Sequence, residues 1–212
     1  MDVSYQAFLN AFPQAERVSA DAGTMASFAD EALGVAFPEE LAAFLQQAGG
    51  GYFGRNDLYF FADGEAPAPR DSFQEWNRKD FWADIFPRPA DGGPVFFAET
   101  CFGDQLGYRR DGDRFIFILF AIDTFESFVI ALSAKELFEQ VLTERFALVD
   151  PQRLLALENR YGVLLRGMHY APLASPLLGG SGAADNFCQE TPNVHFRTAL
   201  ATLHTLRQAS ES

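Results

Sequence analysis

Few residues in this chain have the type and spacing for covalent or metal chemistry. Cys101 could act as a nucleophile, with His169 or His195 as its base and Asp185 as the carboxylate that orients the imidazole. No local signature surrounds Cys101, and its phenylalanine neighbours point to a buried, inert thiol. Cys188, His195 and His204 match no zinc spacing, and Cys188 has no CxxC partner. His195 and His204 are nine apart, which on a helix puts them on opposite sides. Asp123 and Glu126 could be paired carboxylates, although adjacent strand and turn acids are common. Asp185-Asn186 lies near glycines, but no Gly-Lys-Ser/Thr follows to cradle a phosphate. The residues therefore assign no catalytic group, no cofactor site and no metal site.

The charge is more informative. The 212 residues carry a formal net charge of -13, and 48% are hydrophobic, the composition of a globular protein. Residues 1–104 hold 17 acidic and 6 basic side chains; residues 105–212 hold 12 and 10. Such a chain repels phosphates and has no basic stripe for counterion release, which argues against nucleic-acid binding. Anionic membrane surfaces are disfavoured for the same reason. A basic protein would be attracted and steered. Two cysteines, no basic n-region and no long apolar run lead us to expect a cytoplasmic protein.

The elements read as helices, then strands, then helices. Val3 to Phe12 has helical spacing, with Asp2 as N-cap and Pro13 as stop. Ser19 to Gly34 holds a short amphipathic helix. Pro38 to Ala48 forms a helix with Glu39 and Glu40 in its first turn and glycines as its stop. Tyr52-Phe53 and Leu58 to Phe61 form a hairpin around Arg55-Asn56-Asp57. Residues 63–70 and 88–94 read as loops, and Ser72 to Phe86 as a helix. Trp76 and Trp82, six apart, would lie on different sides of that helix, so one is expected to face outward. Val95 to Ala98, Gln105 to Arg109, Arg114 to Phe120 and Glu126 to Ala131 are strands, the third covered on both faces. Ser133 caps a helix through Arg145. Pro151 to Tyr161 and Val194 to Gln208 are helices, and residues 167–192 look irregular. The expected fold is α+β: an antiparallel β-sheet flanked by helices, with a helical C-terminal extension. Most of the 23 phenylalanines are expected in the core.

Three segments resemble the SUKH superfamily, which includes the fungal Smi/Knr-type cell-wall regulators and many bacterial immunity proteins. Phe37-Pro38-Glu39-Glu40-Leu41 through Gly49-Gly50 is similar to the family's Leu-Pro start, helix and Asn-Gly-Gly stop, with Ala48 in place of the Asn. Phe96 to Arg109 is similar to its strand, Gly-containing turn and strand. Asp123-Thr124-Phe125, then Ile130 to Ser133 and the helix from Glu136 to Leu142, is similar to its strand, Ser, helix ending. The resemblance covers about residues 30–145. It divides the chain into a SUKH-like α+β domain, 1–148, and a C-terminal helical and loop extension, 149–212, packed on the same domain. The stretch Pro176 to Gly180 is similar to C-terminal parts of some secretion-system immunity proteins.

The resemblance implies binding rather than catalysis: a cytoplasmic immunity protein that neutralises a cognate bacterial toxin, a nuclease or another basic toxin, by direct contact. Candidate partner contacts are Asp57, Asp63, Glu65, Glu75, Asp80 and Asp84, Glu99 and Asp104 beside the Gly103 turn, and the two tryptophans, Trp76 and Trp82. A regulatory scaffold of the Smi/Knr type and a Cys101-dependent enzyme remain as alternatives. A homodimer is open, because such a sheet has an exposed edge.

Overall fold

The computed structural model describes residues 3–63, 70–86, 93–143 and 148–210. Seven antiparallel strands follow one another in sequence order across one sheet: β1 (Gln14–Val18), β2 (Gly50–Phe53), β3 (Leu58–Phe60), β4 (Val95–Thr100), β5 (Gln105–Asp111), β6 (Arg114–Ala121) and β7 (Glu126–Ala131). The helices are α1 (Gln6–Ala11), α2 (Ala22–Phe28), α3 (Glu39–Ala48), α4 (Phe73–Trp76), α5 (Ala134–Glu139), α6 (Pro151–Tyr161) and α7 (Pro192–Ser210). A second, two-stranded sheet pairs β8 (His169–Pro172) with β9 (Phe187–Glu190). The fold is α+β with an antiparallel sheet.

Aromatic rings fill both faces of the sheet. On one face Phe8 of α1 and Phe44 of α3 meet Phe53 and Phe60, and Phe138 of α5 packs on Phe8 and Phe44. On the other, Trp82 packs 4.5 Å from Phe96 and 4.7 Å from Phe196 of α7. Leu154, Leu157, Tyr170, Phe187 and Phe196, all after residue 148, belong to the same core as the sheet. Among the described phenylalanines only Phe128 is exposed.

Several expectations change. The first helix begins at Gln6, with no side-chain cap; Asp2 lies outside the described residues. β1 gave no sequence signal, because its residues alternate between partial burial and exposure and only Ala15 and Val18 are apolar. The helix over Ser72 to Phe86 stops at Trp76. There the Trp76 carbonyl accepts the Trp82 indole N–H at 2.7 Å rather than a helical amide, and Asn77 exchanges two hydrogen bonds with the Phe96 backbone at 2.8 Å. This fold-back buries both tryptophans, so neither faces outward. The stretch 167–192 is not wholly irregular, since it contains the β8–β9 hairpin. Parts of the loops over 63–70 and 88–94 fall outside the described residues, and the helix capped by Ser133 stops at Glu139, followed by a 3₁₀ turn at Val141–Thr143, short of Arg145.

Two glycines are required by contact. Gly51 has φ +105°, and a Cβ there would lie 2.2 Å from the Glu16 carbonyl of β1. Gly103, φ +84°, turns the chain from β4 to β5 beneath two imidazoles, as described below.

Candidate functional site

The register aligns Tyr52, Tyr59, Glu99 and Gln105 side by side across β2 to β5. Opposite residues on neighbouring strands share a face, so this row carries polar groups straight across the sheet. All four residues are buried. Arg70 lies over the Tyr59 ring, 4.7 Å from its centroid, and is ion-paired with Glu99. Its Nε donates to the Tyr52 hydroxyl at 3.2 Å, and that hydroxyl also accepts the Gly167 amide at 2.6 Å. Gln105 donates to the second Glu99 oxygen at 3.1 Å and accepts the Trp76 indole N–H at 2.7 Å. A buried carboxylate is tolerable only when paired and hydrogen-bonded in this way.

The extension closes the row. His169 of β8 is fully buried, with Nε2 3.1 Å from the Arg70 guanidinium and 3.2 Å from Glu99. Its Nδ1 lies 3.3 Å from Nδ1 of His195 on α7, and His195 Nε2 lies 2.9 Å from Asp123 in the β6–β7 turn. One arrangement of protons satisfies all four groups. Arg70 donates to His169 Nε2, His169 Nδ1–H donates to His195 Nδ1, and His195 Nε2–H donates to the Asp123 carboxylate. His169 is then neutral. Burial, the Arg70 charge and His195 all hold His169 well below the usual histidine pKa. Beside them, burial and the Asp123 carboxylate push Asp104 up to about 7, although it accepts the Ile122 amide at 3.2 Å.

This array resembles a catalytic relay in its residue types, but its imidazoles face the protein interior. The carboxylate on His195 is Asp123. Asp185 is exposed in a separate turn. Cys101 is buried, and its backbone ties the Asp57 carbonyl to the Tyr170 amide. His204 is partly exposed and lies 3.6 Å from Asp84. Among the described residues no three metal-ligating side chains converge.

The acidic candidates divide by burial. Asp57 and Glu99 are buried, as are Trp76 and Trp82, and none of the four is presented to a partner. Asp57 closes its own hairpin by accepting the Arg55 amide, and Glu99 neutralises Arg70. Asp104 is partly buried in the turn network. Asp63 accepts the Asp21 amide, and Glu75, though exposed, completes a capping box with Ser72. Asp80 and Asp84 are exposed. Glu65 lies outside the described residues. No spacing in the sequence announces the Arg70–His169–His195–Asp123 line. Bonded neighbours along it are up to 99 residues apart, and only the lone histidines in an otherwise apolar neighbourhood hinted at it.

The SMI1-KNR4 cell-wall family model SUKH_6 matches residues 25–128, from α2 into β7. The crystal structure of Atu4351 from Agrobacterium tumefaciens has a similar fold, with a TM-score of 0.67 and 16% sequence identity. That similarity covers 92% of this chain and 88% of the other, so it extends well into the segment after residue 148. No curated protein matches the chain. No helix among the described residues is long and apolar enough to cross a membrane. With the first two resembling segments and the start of the third inside the matched span, the chain carries a SUKH superfamily domain over residues 25–128.

Proposed function

We propose that this protein is an immunity protein that binds a cognate bacterial toxin in the cytoplasm and neutralises it by direct contact. The observation that carries this reading is the separation of polar groups in a SUKH protein. Among the described residues the Arg70–Glu99–His169–His195 cluster is closed inside the fold, in a chain of net charge -13. A surface rich in carboxylates suits a basic, phosphate-seeking toxin surface, which it would occupy as a mimic of the phosphates. Asp80 and Asp84, together with Asp63 and Glu75, are the proposed contacts. The SUKH-like domain, 1–148, would carry the binding surface, and the segment 149–212 would brace it.

The test is co-purification of the full chain with the product of the adjacent gene, at low and at high salt, together with rescue of growth when that product is expressed. A complex that weakens with salt and a restored growth rate are expected. No complex at low salt overturns the reading. The match to an SMI1-KNR4 cell-wall model favours one second reading, a non-catalytic regulatory scaffold. Binding to several unrelated proteins without rescue would favour it.

A further inference from the structure

We propose that β7 is the docking edge of this protein, accepting an extended basic segment of the toxin as an eighth strand of the sheet. The proposal rests on the immunity reading for the identity of the partner, and on the following geometry for the place.

β7 pairs with β6 along one side, and among the described residues nothing pairs with its other side. An edge strand leaves a row of free amide N–H and carbonyl groups, and proteins ordinarily blunt such edges. A bulge at Ile130 interrupts it near its end, which leaves Glu126 to Val129 as the regular stretch of the edge. Glu126 to Val129 are exposed on both faces of the strand, with Phe128 at 49% and Val129 at 51%, and Leu132 just beyond it at 50%. In a chain that buries its other described phenylalanines wholly or in part, Phe128 is the exception. The opposite edge, β1, differs: it is covered in part by the extension, where Arg166 pairs with Glu16 at 2.6 Å.

Charge selects the occupant. Between residues 121 and 143 there are four carboxylates, Asp123, Glu126, Glu136 and Glu139, against one ammonium, Lys135. Lys135 is already paired with Glu139 at 3.6 Å. A second copy brought edge to edge would set two such acidic groups together on chains of net charge -13 each. A strand with lysine or arginine at alternate positions meets the exposed Glu126 carboxylate in this acidic field instead, while its apolar positions cover Phe128 and Val129. Backbone hydrogen bonds supply affinity in such strand addition, and alternate side chains supply selection.

The probe is a short peptide alternating lysine and valine, titrated into the isotopically labelled full chain and followed by amide NMR shifts. Shifts centred on residues 126–131 are expected, with binding that weakens as salt is raised. Phe128→Lys with Val129→Lys should weaken binding about tenfold or more; both side chains are exposed, so the melting temperature should hold. Glu126→Lys alters only charge and should weaken binding without disturbing the strand. No binding, shifts confined to other elements, equal binding of a glutamate–valine peptide, or self-association through β7 overturns the proposal. The two readings fail separately. If the adjacent-gene product binds wild type and the double variant equally, the edge is wrong and the immunity reading stands. If the peptide adds to β7 but that product does not bind the chain at all, the immunity reading is wrong.

Discussion

The Nδ1 atoms of His169 and His195 lie 3.3 Å apart, and the hydrogen-bond pattern around them requires that only one carries a proton. This contact joins β8 to α7, and through Arg70, Glu99 and Asp123 it fastens both to the main sheet. Protonating both rings would point two N–H groups at each other and break the donor order at its middle link.

Acid should therefore loosen the molecule through His169. Its folded pKa is depressed, so its contribution to stability is present above the unfolded pKa of about 6.5 and is lost as pH falls toward the folded value. Denaturant titrations from pH 7 down to pH 5 should show falling stability in an Asp104→Asn background, where the opposing carboxylate is absent. A flat profile there would contradict a neutral His169.

Asp104 acts in the other sense. Its folded pKa, about 7, lies above the unfolded 3.8. The folded state binds the extra proton between these values, so this residue's contribution falls as pH rises from about 4 to about 7. Asp104→Asn keeps an acceptor for the Ile122 amide and should stabilise the protein at pH 8 by on the order of 2 kcal/mol. The gain should vanish near pH 4, and urea midpoints at the two pH values check it.

Breaking one end of the line should be costly. Arg70→Met strands the Glu99 carboxylate in the core and should cost about 3–5 kcal/mol in chemical denaturation. His195→Ala should cost about 2 kcal/mol by leaving Asp123 and His169 short of a partner. A double-mutant cycle between His169 and His195 should show coupling of at least about 0.5 kcal/mol.

Gly103→Ala should destabilise more than a usual surface Gly→Ala change. The new Cβ would fall 2.8 Å from His169 Nδ1 and 2.9 Å from His195 Nδ1, at a φ of +84°. A loss of about 2 kcal/mol or more is expected from strain and displacement together. An unchanged thermal midpoint would show that the turn can move away.

Thiol labelling separates the two cysteines. Burial pushes the Cys188 thiol up, and Glu190 adds to this. Cys101 is buried more deeply. Cys188 should react slowly in the native protein and Cys101 only on unfolding. Rapid native modification of Cys101 would revive the enzyme alternative.

The sheet was legible because its hairpins carry local turn signals: Arg55-Asn56-Asp57, Asp111-Gly112-Asp113 and the Gly103 turn each sit between apolar runs. Ser133 declared its helix by capping, and it does accept the Glu136 amide at 3.1 Å. Elements without local signals were not legible. β1 exists because β2 pairs with it, and α4 ends because an indole six residues on takes its carbonyl. The same limit governs the site. Carboxylates that look alike in sequence end up in opposite environments, Asp57 and Glu99 sealed inside, Asp80 and Asp84 in water. Only the long-range register decides which, and no spacing rule encodes it.

The polar row on the sheet has its lid at the far end of the chain. His169 and His195 reach Arg70 and Asp123 across 99 and 72 residues. During synthesis the segments that carry Arg70 and Glu99 emerge well before the one that seals them. The ribosome must therefore pass His195 before those charges leave water for good, and the nascent meander waits, half-dressed, for α7.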